Sequence, residues 1–367
     1  MATRRAAASD APRQRRVIDK SEVSSTATSY FASGAEKDHL QFFSSGCAVR
    51  DEAVGGGYVL GRVANIVGDR SAGKTLKAME QAANFLQEYP DGWVRYGEAE
   101  AAFDREYAAA LGIPTKRIIF NEDSPVLSGK KEGMGMMETV EDWYEDLMYM
   151  LDHYKDRPGL YILDSLDALS DEAEQKREFD EGSYGGTKPK QIGKLFRQVV
   201  GQLEEQGVAL TVISQIRDKL NVTFGETKTR SGGRALDFYA SHIVWLAELD
   251  KIKRTINGIE RVTGVKVEAY VKKNKVGLPF RRARYPILFG YGIDDLTAGV
   301  EWLIEAKRED LLKERLGMTK TGYKVMLSNV REKGGDTAAF LRRDLAAIIH
   351  EEWGKIETEF LPKSRKY

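Results

Sequence analysis

Eight consecutive residues constrain this chain more than any others: Gly68-Asp69-Arg70-Ser71-Ala72-Gly73-Lys74-Thr75. They match G-x-x-x-x-G-K-[ST] and stand between a short apolar run, residues 62–67 (RVANIV), and a stretch with helical spacing, 75–87. A strand, a glycine-rich turn and a helix in that order turn backbone amides inward toward an anion. Gly68 and Gly73 permit the curl, and the helix N-terminus adds its dipole. Lys74 is then placed to reach the terminal phosphates of a nucleotide, and the Thr75 hydroxyl to hold Mg²⁺.

The rest of the pattern agrees with an α/β chain built on a mostly parallel, twisted sheet flanked by helices. Strands are expected at 93–96, 118–120, 160–163 (LYIL) and 209–213 (ALTVI), the last two apolar enough to be buried on both faces. Helices are expected at 103–111, 138–153 and 191–206. Beyond 243–246 the pattern turns to alternating strands with a hairpin at Asn257-Gly258. From about residue 296 it is helical again, which predicts a small, mainly helical C-terminal domain over 296–367. Residues 1–30 read as a flexible basic arm, 31–57 as an N-terminal segment and 58–295 as the core. No internal repeat is visible.

Composition excludes several classes. One cysteine, Cys47, rules out an intramolecular disulfide and a thiolate metal cluster, so a reducing cytoplasm is the expected compartment. The four histidines show no ligand spacing. No apolar run approaches the ~18 residues of a membrane span, and the first residues lack the apolar stretch of a signal peptide, so no membrane partner is expected. The 56 basic and 56 acidic residues cancel, but they are segregated. Residues 1–20 hold six basic and two acidic residues, 132–181 hold 4 basic and 16 acidic, and 217–285 hold 16 basic and 7 acidic. A neutral total therefore leaves a nucleic-acid partner open.

Two further sites are needed for nucleotide chemistry. Leu160-Tyr161-Ile162-Leu163-Asp164 ends a buried strand on a carboxylate, about 90 residues after the glycine loop, and Asp164 can hold Mg²⁺ through water. Tyr96-Gly97-Glu98-Ala99-Glu100 ends the strand expected beside the first, and either Glu98 or Glu100 can orient a water.

Four segments, taken in order, resemble the RecA recombinase family. They are Glu98-Ala99-Glu100-Ala101-Ala102-Phe103-Asp104 with Tyr107-Ala108 and Leu111-Gly112; Leu163-Asp164-Ser165-Leu166-Asp167-Ala168-Leu169; Ser214-Gln215-Ile216-Arg217 running through Phe224-Gly225 to Gly232-Gly233-Arg234-Ala235-Leu236 and Phe238-Tyr239-Ala240-Ser241; and Lys272-Lys273-Asn274-Lys275 with Pro279-Phe280 and Gly290-Tyr291-Gly292-Ile293. The resemblance covers about residues 40–295. It implies a RecA-type P-loop ATPase core with an N-terminal oligomerisation segment, using ATP and Mg²⁺. It implies binding of single- and double-stranded DNA, a helical filament of the chain with itself, ATP held between protomers, and DNA-stimulated hydrolysis that accompanies strand exchange.

Residue by residue, the resemblance makes Glu100 the water-activating glutamate. Asp104 falls in the same segment, Tyr107 stacks on adenine and Phe289 covers the base from the other side. Gln215 senses the γ-phosphate and couples it to DNA. Lys273 and Lys275 reach a neighbour's nucleotide. Residues 179–189 correspond to a first DNA loop, with Tyr184, and 218–231 to a second, with Phe224 and Arg230. Arg197, Arg217, Gly232, Gly233 and Arg234 match positions that grip DNA phosphate. Lys219, Lys228 and Arg230 beside Phe224 are also what single-strand binding uses: charge for the backbone and an apolar group for bases.

The chain departs from the family at several points. Tyr184-Gly185 stands where cellular relatives carry His-Met, Arg70 replaces a usual glutamate, and the end, Pro362-Lys363-Ser364-Arg365-Lys366-Tyr367, lacks an acidic tail. These mark a divergent member, and a cellular and a phage origin both stay open. Two other readings share the phosphate loop: a ring-forming motor of the helicase or clock type, and a mediator without catalysis. The uninterrupted stretch from Gln215 to Ser241 favours the recombinase over the first. Lys74, Thr75, Glu100, Asp164, Gln215, Lys273 and Lys275 together favour it over the second.

Overall fold

In a computed structural model, residues 40–100, 103–128, 135–171, 187–218 and 228–362 are described. The basic arm, most of the expected first DNA loop including Tyr184, the centre of the second including Phe224, and the last five residues lie outside them.

The chain enters with β1 (Phe42–Phe43), α1 (Ala48–Val54) and β2 (Tyr58–Val59). It continues through β3 (Val63–Gly68), α2 (Lys74–Glu88), β4 (Trp93–Glu98), α3 (Arg105–Ala110), β5 (Ile118–Ile119), α4 (Pro125–Ser128) and α5 (Val140–His153). Then come β6 (Gly159–Asp164), α6 (Thr187–Gln206), β7 (Val208–Asp218), β8 (Lys228–Arg230) and α7 (Gly233–Tyr239). The long β9 (His242–Ile256) and β10 (Ile259–Asn274), with β11 (Arg282–Leu288) and β12 (Gly292–Ile293), complete the sheet. Helices α8 (Asp295–Glu305), α9 (Glu309–Leu316), α10 (Tyr323–Lys333) and α11 (Gly335–Phe360) follow.

The strands run β12-β11-β10-β9-β3-β7-β6-β4-β5, with β8 paired to β7. The segment β9-β3-β7-β6-β4-β5 is parallel throughout. The strands β9 to β12 are antiparallel to one another. All six residues of β3 and all six of β6 are buried, as apolar strands covered on both faces must be. The side-chain amide inside β3, Asn65, ties the strand to β7: Nδ2 donates to Val212 O and to Ser214 Oγ, each at 2.9 Å. The β9–β10 turn is the expected hairpin, with φ of 49° at Asn257 and 78° at Gly258. Both are left-handed, the pair that two-residue turns between twisted strands require.

Helices α5, α6 and α7 cover one face of the sheet around Trp143, Leu163, Phe196 and Leu236. Helices α1, α2, α8 and α11 cover the other. Here Val54, Phe85, Tyr285, Leu296, Leu345 and Ile349 belong to one buried cluster. The C-terminal helices thus share a core with α1 and the sheet rather than enclosing a separate one. His350 of α11 also meets Glu52 of α1 at 2.8 Å. Among the described residues no helix is long and apolar enough to cross a membrane.

Two expected loop boundaries need correction. Residues 187–189, placed in the first DNA loop, open helix α6, where Pro189 is tolerated because first-turn amides have no intrahelical acceptor. Residues 218 and 228–230, placed in the second loop, are ladder positions. Asp218 pairs with Lys228, Arg217 with Thr229 and Ile216 with Arg230. The ladder outruns the apolar run ALTVI because alternate residues of an antiparallel pair can face water.

Candidate functional site

The glycine loop joins β3 to α2 at one end of the parallel sheet. A Cβ on Gly68 would stand 3.2 Å from Ala72 Cβ and 3.3 Å from the Leu246 backbone, so a side chain there would press on its neighbours. Gly73 has φ +76° and would drive a Cβ to 2.5 Å from Ile287 Cδ1. Gly68 is thus closely packed, and the left-handed backbone at Gly73 is one that favours glycine. Asp69, Arg70 and Ser71 are exposed, whereas Ala72 is buried. Asp69 Oδ1 accepts from Arg70 N at 2.8 Å, and Lys74 Nζ donates back to Asp69 O at 2.8 Å, folded over its own loop. Burial lowers the pKa of Lys74, while Asp164, Glu100, Asp69 and Asp167 pull it back up. A phosphate would further favour its charged form.

Thr75, the second residue of α2, donates through Oγ1 to Asp164 Oδ2 at 2.8 Å. Tyr96 of β4 donates to the same oxygen at 2.6 Å. Burial raises the pKa of Asp164, and these two donors, with Lys74, oppose that rise. Among the described residues no hydrogen bond reaches Oδ1. Nor do they hold a group of three or more histidine, cysteine or acidic side chains able to enclose a metal ion. One hydroxyl and one carboxylate fit Mg²⁺ in the way that hard ion binds nucleotides, with the remaining ligands from phosphate and water.

The sequence left Glu98 and Glu100 as alternatives, and the structure separates them. The Glu98 carboxylate accepts from Phe103 N and closes the turn after β4. Glu100 is exposed, and its Oε1 accepts from Ser165 Oγ and, at 2.7 Å, from Gln215 Nε2. Gln215 sits beside Gly68 in register on the adjacent strand β7, so Glu100, Gln215, Asp164 and the glycine loop share one end of the sheet. Asp104 caps α3 by accepting from Tyr107 N at 2.9 Å, and Tyr107 is 37% exposed. Phe289, 59% exposed, lies two residues beyond Ile287, the side chain that abuts Gly73.

The other expected residues lie elsewhere. Lys273 and Lys275 belong to the opposite end of the sheet. Lys273 pairs with Ile243, which lies beside Asn65, and Lys275 N donates to Ser241 O. Both ammonium groups cap the C-terminus of α7. Lys273 donates to the carbonyls of Asp237 and, at 3.2 Å, Phe238, and Lys275 donates to Phe238 O at 2.8 Å. Burial, then the neighbouring Lys275, brings the pKa of Lys273 down to about 8. Gly232 and Gly233, with φ of +86° and +47°, open α7, and a Cβ on Gly232 would strike Leu236 and Leu166. Arg197 on α6 and Arg234 on α7 are exposed. Arg230 is not: its side chain is 6% exposed and pairs with Asp237 at 2.7 Å.

Sequence reading missed the polar residues that hold these groups. Tyr96 lies inside an apolar strand, where its ring alone predicts core. Arg95 beside it is fully buried and paired with Asp146 of α5 at 2.9 Å. It also donates to Asn121 Oδ1 at 3.1 Å, and Asn121 Nδ2 donates to Glu98 O at 2.6 Å, which fixes the end of β4. The available signal was Asp146 on the apolar face of α5, between Trp143 and Met150 at helical spacing.

The family model for the RecA N-terminal domain matches residues 18–294. Protein RecA of Prochlorococcus marinus is 30% identical over 262 residues, 71% of this chain and 63% of that protein. Protein RecA of Nostoc punctiforme is 31% identical over 267 residues, 73% of this chain and 68% of that protein. The crystal structure of the RadB recombinase is similar with a TM-score of 0.50 at 15% identity, over 69% of this chain and 98% of that one, a likeness of fold.

Proposed function

This chain belongs to the RecA family, and from that premise we propose that it is an ATP-dependent DNA recombinase that assembles on single-stranded DNA. The observation that carries this reading is the 2.7 Å hydrogen bond from Gln215 to Glu100. It joins the carboxylate best placed to activate water to the strand that leads into the basic second loop. In this scheme Glu100 takes a proton from a water as its oxygen bonds to the γ-phosphorus. The bond to the β–γ bridging oxygen breaks, leaving ADP and phosphate. Lys74 and the loop amides hold the phosphates, and Thr75 and Asp164 would hold Mg²⁺, which would supply neutralising charge to them. A γ-phosphate that draws Gln215 away from Glu100 shifts the end of β7, and with it the loop that grips DNA. Strand exchange between a labelled single strand and homologous duplex, with and without ATP, tests the reading. No exchange, together with hexameric rings in place of helical filaments on single-stranded DNA with a non-hydrolysable analogue, would sink it.

Lys273 and Lys275 support ATP held between protomers. Lys273 lies level with Asn65 and Lys275 with the start of β3, roughly 10 and 16 Å along the strand from Gly68 at about 3.3 Å per residue, and both ammonium groups turn onto the end of α7 rather than toward their own phosphate loop. Lys273→Ala is expected to lower hydrolysis without altering the fold of the monomer. Mixing it with Lys74→Ala should raise phosphate release above the sum of the two proteins assayed apart. No gain on mixing would place the lysine's role within its own subunit.

Tyr96→Phe keeps the packing and removes one donor from Asp164. About tenfold more Mg²⁺ should be needed for half-maximal binding of a fluorescent ADP analogue, while metal-free binding stays unchanged. An unchanged Mg²⁺ midpoint would show that Thr75 alone orients the carboxylate.

A further inference from the structure

Asp167 has no part in the scheme above, yet three hydrogen bonds converge on its carboxylate from both limbs of one hairpin. Oδ2 accepts from the Gln215 backbone N–H at 2.6 Å. Oδ1 accepts from Arg217 Nε at 3.0 Å and from Ser231 Oγ at 2.5 Å. Gln215 and Arg217 lie on β7, which enters the expected DNA loop, and Ser231 follows β8, which leaves it. The Asp167 side chain is 6% exposed and that of Arg217 58%, so the carboxylate is withdrawn while the guanidinium faces solvent.

The turn that carries Asp167 is itself held firmly. Leu166 N donates to Ile213 O at 3.0 Å, and Lys188 of α6 donates to Leu166 O at 2.9 Å and to Leu169 O. Its first residue, Ser165, follows Asp164 directly and donates to Glu100. One rigid turn thus touches the water-activating carboxylate at one end and both limbs of the hairpin at the other.

We propose that Asp167 is a positioning residue that clasps β7 and β8 to the nucleotide turn and so couples nucleotide state to DNA affinity. The reasoning is electrostatic. Arg217 is tethered to Asp167 by one nitrogen and aimed outward. A DNA phosphate arriving at Arg217 competes with Asp167 for that cation. Weakening this contact loosens the clasp that also holds the Gln215 backbone, whose side chain sits on Glu100. A change at Gln215 on nucleotide exchange acts through the same carboxylate in the reverse direction, and the two effects must be equal in free energy. A withdrawn carboxylate also leaves its three donors without their acceptor if it is removed, so the clasp cannot be lost silently.

The inference rests on the recombinase reading, and its test keeps the two apart. The affinity of the full chain for a fluorescein-labelled oligothymidylate is measured by anisotropy with ATPγS and with ADP at one salt concentration. Wild type should show a ratio of about tenfold or more between the two nucleotides. Asp167→Ala should bring that ratio to about twofold or less, and Ser231→Ala, which removes one of the three hydrogen bonds, should fall between. A folded Asp167→Ala protein that keeps the wild-type ratio overturns the proposal, even if both affinities weaken together. If Asp167→Ala does not fold, an unaltered ratio in Ser231→Ala overturns it instead. A wild-type ratio of one would count against the recombinase reading, on which this inference depends.

Discussion

Glu100→Gln should lower ATP hydrolysis by about 10²- to 10⁴-fold, the usual worth of a positioned general base. Glutamine keeps the shape of the side chain and can still accept from Ser165 and from Gln215, which now reach Glu100 Oε1. What it cannot do is take a proton. Nucleotide binding, assigned in the proposed scheme to the loop amides, Lys74 and Thr75, should therefore survive. The variant should form complexes with single-stranded DNA and ATP that persist, because the step that loosens them is blocked. Phosphate release measured beside the dissociation rate of labelled DNA separates this from a folding defect. Wild-type turnover would remove Glu100 from the water-activating role and return attention to Glu98, whose carboxylate is occupied by Phe103 N.

Arg95→Ala is expected to destabilise the protein by about 3–5 kcal/mol, read as the shift in urea midpoint. Both Arg95 and Asp146 are wholly inaccessible, so removing the cation strands a carboxylate in the core. Tyr161 OH at 2.6 Å and Ser124 Oγ remain to donate to Asp146, which relieves only part of the penalty. The double variant Arg95→Met with Asp146→Leu should recover most of the loss, because it removes the charge as a pair. A single variant near wild-type stability would mean that water reaches Asp146. Since Arg95 also holds Asn121, and Asn121 the end of β4, residual activity should fall further than stability alone explains.

Much of this architecture was legible in the residues. The short apolar run before Gly68 and the helical spacing after Gly73 set the glycine loop between a strand and a helix. The runs LYIL and ALTVI are typical of strands buried on both faces, and Asn257-Gly258 specified its turn because both positions need positive φ. Asp164 was found for the same local reason, a charge ending an apolar strand. Glu98 and Glu100 were not separable, since two carboxylates two residues apart differ only in what their turn lets them reach. Arg230, expected to bind DNA beside Phe224, has its side chain withdrawn onto Asp237, a pairing across a helix start that charge counting does not see.

By itself, then, the sequence determined the loop end of the sheet: which glycines turn, which lysine and threonine follow them at the start of a helix, and which strand ends on the acid. These are local matters, decided by backbone conformation and by side-chain periods of two and 3.6. Tertiary structure alone decided which groups meet: Tyr96 on Asp164, Gln215 on Glu100, Asp167 between the limbs of the second loop, and the two lysines at the far end of the sheet. Each contact joins residues tens of positions apart through the strand order β9-β3-β7-β6-β4. That order follows from which faces bury best together in three dimensions, an outcome that no stretch of sequence carries alone.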